Sequence, residues 1–193
     1  NDRNEEADIY RGTRLLMHQP YSARLYPLDG VSFHGKVCYN REASMDRMER
    51  PDGQELRLTE DAGNILWIRP CVGMTYPQAG PQVRAVLHDS YHSGTIAVNA
   101  GLEEFAGRME QAGIPVYLTG ASSGEAEYET VRMYEQYGIR VLPKMSLIAA
   151  YCKLWLALSN DLDVNSIMNT CIAEDIIQEQ RGVIRTDEQS RRD

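Results

Sequence analysis

The sequence predicts an α/β fold, a Rossmann-like or flavodoxin-like three-layer domain around a parallel sheet of roughly four strands, with an N-terminal β-hairpin arm. Short apolar runs occur at 65–68, 83–87, 115–119 and 139–142. Segments with helical spacing of apolar residues lie between them. The phrase Gly-Ile-X-Val occurs at 113–116 and again at 138–141, where a helix would end and a strand begin. This alternation is typical of parallel strands joined by helices.

Four helices are predicted from the same periodicity. The first covers about 102–112, because Leu102, Phe105, Ala106 and Met109 share one face, and the second covers about 125–137. Ser146 is placed to cap a third helix over 147–159, which is apolar nearly all round and should lie against the sheet. A narrower apolar stripe predicts a last helix, and it consists of Val164, Ile167, Met168, Cys171, Ile172 and Ile176.

The first 60 residues differ in character from the rest. Residues 8–10 and 14–17 flank Arg11-Gly-Thr13, which predicts a hairpin of two short strands. The following segment is rich in charge, proline and glycine and is predicted to be a linker. We therefore expect residues 1–60 to be the end of a missing upstream domain, 61–182 the α/β domain and 183–193 a flexible tail. Proteases should cut first between residues 41 and 57.

Composition excludes two classes of partner. The net charge is -8 and no basic stripe is present, so nucleic acid is not expected as a partner. The longest apolar stretch, 147–158, contains Lys153 and is too short to cross a bilayer.

The four cysteines lie far apart without metal-ligand spacing, which favours free thiols. We expect a soluble, cytoplasmic protein with no membrane contact.

The chain is organised around the stretch 82–95, an apolar strand that runs into the polar loop 88–95. Ligands of parallel sheets bind where strands end, and this loop has that position. His88, Asp89, Ser90, His92 and Ser93 offer the residue types of a nucleophilic site, but neighbours along one strand point alternately to opposite faces. We interpret them as loop polarity and capping. No catalytic residue and no metal ligand is assigned.

A glycine loop at 119–124 resembles the start of the dinucleotide fingerprint of short-chain dehydrogenases. The resemblance ends at Glu125-Ala126, where that fingerprint continues Ile-Gly and where a carboxylate would repel pyrophosphate. No tyrosine stands four residues before a lysine. We therefore expect no cofactor.

Three stretches in order resemble the C-terminal domain of the asparaginase family of amidohydrolases. Residues 86–95 are similar to the family's strand and Y-G-x-G-N loop, and 128–138 to its Y-x-x-G helix. Met145-Ser146, Ala149-Ala150 and Lys153-Leu154 match the phrase D-M-T-x-E-A-A-x-x-K-L without a gap. The hairpin and linker of 8–36 resemble the end of the family's first domain and its interdomain segment.

The resemblance implies an activity that this chain lacks the means to perform alone. Family members hydrolyse asparagine to aspartate and ammonia with upstream threonines, carried in T-G-G-T and T-D-x-x-E phrases that these 193 residues do not contain. It also implies a homo-oligomer in which Ser93, Gly94 and Thr95 reach a neighbouring subunit's active site and hold a small amide amino acid. The chain departs from the family pattern at His92, Thr95, Lys144 and Ile148, and it has 120–122 in place of S-Q-C.

Two other functions fit parts of the pattern. These departures could mark a non-catalytic domain of the same fold that binds a ligand or dimerises. An amidotransferase subunit of similar fold that acts on aminoacylated transfer RNA is a second alternative, but the missing basic surface does not support it.

Overall fold

A computed structural model of the chain describes residues 6–10, 12–16, 28, 33–36, 56–59, 64–121 and 134–177. Its strands are β1 (Glu6–Ile9), β2 (Phe33–Lys36), β3 (Ile65–Ile68), β4 (Ala85–His88), β5 (Val116–Leu118) and β6 (Ile139–Val141). Its α-helices are α1 (Ala100–Gln111), α2 (Leu147–Ser159) and α3 (Val164–Asn169), and a 3₁₀ turn covers Gly12–Arg14.

The main sheet has four strands in the order β3-β4-β5-β6, and every neighbouring pair is parallel. All four strands lie within two residues of the predicted runs, and the α/β class is confirmed. Every residue of β4 and β5 is buried, because these two strands have a neighbour on each side and helices above and below.

The two faces of the sheet hold separate apolar clusters. Val86 and Leu118 pack with Leu102 and Phe105 of α1 on one face. Ala85, Leu87 and Tyr117 pack with Ala150 and Leu154 of α2 on the other. This division follows from the alternation of side chains along a strand, and it gives the predicted three layers.

The helices flanking the sheet have the predicted signals at their ends. The Ser146 hydroxyl accepts a hydrogen bond from the Ala149 amide at 3.1 Å, which caps α2 as expected. Asn99 caps α1 in the same way. Gly113 follows α1 with φ +66° and Gly138 precedes β6 with φ +66°, a left-handed conformation that favours glycine. Of the predicted helix at 125–137, residues 122–133 lie outside the described part, and 134–136 are helical.

The predicted N-terminal hairpin is wrong in its second strand. β1 is present, but it pairs antiparallel with β2, with Ile9 opposite Phe33. Residues 12–14 form a 3₁₀ turn, and the Ser146 hydroxyl donates to the Thr13 carbonyl at 3.2 Å. Thr13, which belongs to the predicted turn, is thus held against the start of α2, and the strand that completes the antiparallel pair comes later in the chain, at 33–36.

The last helix is shorter than predicted. α3 ends at Asn169, and the Lys153 ammonium donates to the carbonyl groups of Met168 and Thr170 at 3.4 and 2.7 Å. Lys153 also forms an ion pair with Asp175 at 2.8 Å, and both side chains are buried. Ala173 and Glu174 have positive φ, so the chain turns here. The apolar stripe at 164–176 reflects burial of a helix followed by a turn.

Much of the predicted linker and the predicted tail lie outside the described residues, as do the cut sites expected between residues 41 and 57. Within residues 56–59, the Arg57 backbone exchanges two hydrogen bonds with the Asn160 side chain, at 2.9 and 2.8 Å. Among the helices described, none has the length and apolar content needed to cross a membrane. Cys71, Cys152 and Cys171 are exposed free thiols, as expected.

Candidate functional site

Three neighbouring strands bring polar residues together at the carboxyl edge of the sheet. Arg69 follows β3, Asp89 follows β4 and Thr119 follows β5. The ladder continues one step past the strands: the Asp89 amide donates to the Ile68 carbonyl and the Thr119 amide to the His88 carbonyl, each at 2.9 Å. The parallel topology therefore fixes these three residues side by side.

A small pocket of about 170 Å³ opens at this edge. Arg69, Asp89, Thr119 and Gly120 supply its polar wall. Apolar side chains supply the rest, and these are Leu16 and Leu28 from the N-terminal segment and Met145 and Leu147 from the start of α2. The pocket thus combines a carboxylate, a guanidinium and a hydroxyl with an apolar lining, a combination common in small-molecule sites.

The Asp89 carboxylate accepts two hydrogen bonds at the pocket. Its Oδ1 accepts from the Ser90 amide at 2.9 Å and from the Thr119 hydroxyl at 3.5 Å. Burial raises the pKa of Asp89, while these hydrogen bonds and the nearby Arg69 charge act in the opposite direction. Asp89 is thus held in one orientation by its neighbours and is easier to protonate than an exposed aspartate.

Gly120 brings the backbone after β5 close to the loop after β4. It has φ +77°, and a Cβ at this position would collide with the Ser90 hydroxyl. Only glycine satisfies both conditions. The backbone at Gly120 therefore lies close to the Ser90 side chain.

His88 faces the opposite side of the sheet from Asp89. Its ring is completely buried beside Tyr76, with 5.7 Å between ring centroids, and its Nδ1 donates to the Asp89 carbonyl. Burial lowers the pKa of His88, so the neutral ring is favoured. Because Nδ1 is bound to backbone and Nε2 has no partner within the described residues, His88 is not positioned to activate Ser90 or Ser93.

Ser93, Gly94 and Thr95 form a turn outside the pocket, in which Ser93 is exposed and Gly94 and Thr95 are half-buried. The Tyr91 amide donates to the Thr95 carbonyl and the Gly94 amide to the Tyr91 carbonyl, both at 2.8 Å, and Gly94 has φ +76°. The hydroxyls of Ser93 and Thr95 lie 2.8 Å apart. The turn therefore presents two adjacent hydroxyls at the surface of the molecule.

Both ends of this turn are anchored to the body of the domain. The Tyr91 hydroxyl donates to the Cys71 carbonyl at 3.0 Å, which ties the turn to the loop after β3. After the turn, the Ile96 amide donates to the buried Tyr134 hydroxyl at 3.2 Å. Ser93 and Thr95 thus lie in a short turn that is hydrogen-bonded to the rest of the domain at both ends.

From the sequence alone, Arg69 and Thr119 were not identified as candidate site residues. The rule that drew attention to the end of β4 applies equally to the ends of β3 and β5, and it would have found both residues. Leu16 and Leu28 had no such signal, because only the folded chain brings them to this edge. No group of three or more potential metal ligands occurs among the residues described.

In the motif at 144–154, the positions that agree with the asparaginase pattern are buried and the positions that differ from it are exposed. The six positions that agree with the asparaginase pattern are all buried, and these are Met145, Ser146, Ala149, Ala150, Lys153 and Leu154. The two that depart from it, Lys144 and Ile148, are exposed. The agreement therefore concerns the capping and packing of α2, and the differences concern its surface.

Comparisons with known proteins add one similarity. No protein-family model and no curated protein matches the chain. Among solved structures, the chain is similar to the thermostable L-asparaginase from Thermococcus kodakarensis, with a TM-score of 0.46 and 21% sequence identity. The match covers 80% of this chain and 47% of that one, so the chain spans about half the length of the protein it matches. A similarity of this size assigns neither a family nor an activity.

Proposed function

We propose that the chain is the C-terminal α/β domain of an asparaginase-like amidohydrolase. The parent reaction is hydrolysis of the side-chain amide of asparagine to aspartate and ammonia. A threonine hydroxyl outside this chain attacks the amide carbonyl, ammonia leaves, and water then releases aspartate from the acyl intermediate. This domain contributes substrate contacts and subunit contacts, and the nucleophile comes from the upstream domain.

The observation that carries the proposal is the burial pattern of α2. The apolar agreements, Met145, Ala149, Ala150 and Leu154, are residue types that any helix packed on a sheet requires, so the two polar agreements carry more weight. Here the agreements include a cap that accepts the expected amide hydrogen bond and a lysine buried against Asp175. Both are specific structural tasks, and a lysine is rarely buried unless it is paired. This supports descent from the same framework.

The Ser93–Thr95 turn is the part of the domain that we propose to contact substrate in a neighbouring subunit. Its two hydroxyls both donate and accept hydrogen bonds, so they can meet either the carboxylate or the ammonium group of an amino acid. Because Thr95 stands where the family has asparagine, it offers one hydroxyl instead of an amide. We therefore expect weaker substrate binding than with asparagine at this position, without loss of the chemical step.

The proposal is tested in the protein that contains the coding sequence upstream of Asn1. That sequence should encode the two threonine phrases, and the joined protein should release ammonia from asparagine. Replacing Thr95 with valine removes the hydroxyl at nearly constant size and should raise KM about tenfold or more with little change in kcat. Thr75→Val, a matched change at an exposed position between β3 and β4, should leave both constants unchanged.

A non-catalytic domain of the same fold is the alternative that a specific observation favours. Ile148 replaces the family's glutamate and is 40% exposed at the first turn of α2, beside Leu147 of the pocket. An apolar residue there suits contact with another protein better than contact with an amino acid. An upstream sequence without the threonine phrases, together with no ammonia release, would establish this alternative and exclude the amidohydrolase.

A further inference from the structure

A second and larger groove lies at the opposite edge of the sheet, where β5 and β6 begin. Its volume is about 540 Å³, and its walls come from the C-terminal half of α1, the start of β5, the turn before β6 and the loop before α3. This volume is within the range of about 300 to 1,000 Å³ found for small-molecule sites. Nothing in the proposed amidohydrolase function uses this groove.

The base of the groove is apolar. Ala106 and Met109 of α1 and Val116 of β5 line it, and all three belong to the buried residues of the domain. These three side chains expose little surface themselves, and the accessible apolar side chains of the groove are the half-buried Ile114, Leu162 and Val164. An apolar group of a ligand would therefore find a preformed surface next to the core.

Arg140 is a cation without an ion-pair partner in the part of the chain that the structure describes. Its Nη1 donates to the Tyr117 hydroxyl at 3.2 Å and to the Asn165 side-chain oxygen at 3.3 Å. The guanidinium also lies 5.7 Å from the centre of the Tyr117 ring. These contacts orient the group but leave the N–H donors of Nη2 and Nε available, and such a planar fork suits a carboxylate.

Asp163 places a negative charge near the same hydroxyl. Its Oδ1 accepts from the Asn165 amide at 3.2 Å and caps α3. Burial raises the pKa of Tyr117, Arg140 lowers it, and the Asp163 charge raises it, so both charges act on the Tyr117 hydroxyl. Among the described residues, no ion pair joins Arg140 to Asp163.

Three charged side chains line the groove, and these are Arg140, Asp163 and Glu110. Arg140 and Asp163 are each oriented by hydrogen bonds without neutralising the other. A ligand that carries both charges and an apolar body complements these two groups and the apolar surface at once. We propose that this groove binds a small zwitterion, an α-amino acid with an apolar side chain. Its carboxylate binds Arg140, its ammonium group binds Asp163, and its side chain contacts the half-buried apolar side chains of the groove. This site is independent of the Ser93–Thr95 turn.

The test is a titration of the full chain with three probes related to leucine. Binding is monitored by the NMR signals of the backbone amides around the groove. L-Leucine carries both charges, 4-methylpentanoate lacks the ammonium group, and 3-methylbutylamine lacks the carboxylate. L-Leucine should bind saturably and shift the amides of Met109, Tyr117 and Asn165. Each single-charge analogue should bind about tenfold more weakly or worse, because it leaves one charged group of the groove unmet.

Two variants test which residue of the groove binds the carboxylate of leucine and which binds its ammonium group. Arg140→Gln should weaken leucine binding about tenfold or more, and Asp163→Asn should weaken it severalfold while keeping the helix cap, since asparagine caps as well as aspartate. Arg84→Gln is the matched control, because Arg84 pairs with exposed Asp161 outside the groove and should leave binding unchanged.

Three results would overturn the proposal. The first is the absence of saturable shifts with leucine, and the second is an Arg140→Gln variant that binds leucine as well as the unaltered chain. The third is an analogue with one charge that binds as tightly as leucine. If Glu110→Gln, which alters the other carboxylate of the groove, weakens binding in place of Asp163→Asn, the assignment of the ammonium group is wrong.

Discussion

Lys153 shows how one residue in the middle of an apolar helix can organise the chain that follows it. Its ammonium group meets two carbonyls at the end of α3 and the Asp175 carboxylate, and the two charged side chains are only 6% and 2% exposed. Asp175 in turn accepts from the Ile172 amide at 2.8 Å. The pair thus holds the turn at 170–176 against α2.

Removing one partner of this pair should be costly, because the other charge would remain buried alone. We expect Lys153→Met to lower the free energy of unfolding by about 3 to 5 kcal/mol, measured by urea denaturation. Adding Asp175→Asn should recover at least half of the loss. Lys144→Met, at an exposed position, should change stability by less than about 0.5 kcal/mol. A Lys153→Met loss as small as that of Lys144→Met would show that the pair does not organise the turn.

His88 makes a pH-dependent contribution whose sign follows from its burial. Its pKa in the folded chain is below the ordinary value of 6.5, so the unfolded chain binds the proton first as the pH falls. The unfolded state is then favoured, and stability that is complete above pH 6.5 declines below it until the folded pKa is reached.

Comparison of unfolding free energies at about pH 7.5 and about pH 5.5 measures this contribution. The unaltered chain should lose more stability over this interval than His88→Gln does. Thr75→Val, a change at an exposed position without a titratable group, should keep the pH dependence of the unaltered chain. An equal pH dependence of the unaltered chain and His88→Gln would contradict the account of His88.

At the scale of elements, α2 links the sheet to the N-terminal segment through its cap. Ser146 is 1% exposed; its oxygen accepts from Ala149, and its hydroxyl donates to Thr13. Leu147 and Leu16 then meet in the carboxyl-edge pocket. The start of α2 is therefore also the place where residues 12–16 are attached.

Ser146→Ala should cost about 1 to 2 kcal/mol of unfolding free energy, because it leaves the Ala149 amide and the Thr13 carbonyl without this partner. Ser146→Thr keeps the hydroxyl and should lose less than half as much. Amide hydrogen exchange should show faster opening of residues 12–16 in the alanine variant alone. Equal exchange rates in both variants would mean that Thr13 is held by other contacts.

Elements whose signals are local were predicted from the sequence, and elements that depend on distant contacts were not. β3 and α2 have their predicted bounds because an apolar run, a serine cap and helical periodicity lie within each segment. The partner of β1 was missed because strand pairing with Phe33–Lys36 spans more than twenty residues. The end of α3 was missed because Lys153, which binds its last carbonyls, belongs to another helix.

At the scale of the whole molecule, the parts of the site that depend on a local sequence pattern were predicted, and the parts that depend on the fold were not. The end of β4 stood out because polar residues follow an apolar run directly. The convergence of Arg69, Asp89 and Thr119 requires the strand order β3-β4-β5, which periodicity does not specify. The groove at the other edge forms only when α1, β6 and the loop before α3 come together, and no local sequence pattern predicts it.

We propose that this domain serves a catalytic centre whose nucleophile lies upstream. Ammonia release from asparagine, compared between the 193-residue chain and the protein extended by its upstream coding sequence, tests it most directly. We predict release by the extended protein and none above buffer by the chain alone. Release by the chain alone, abolished by Ser90→Ala or Ser93→Ala, would contradict the claim and place the nucleophile within this domain.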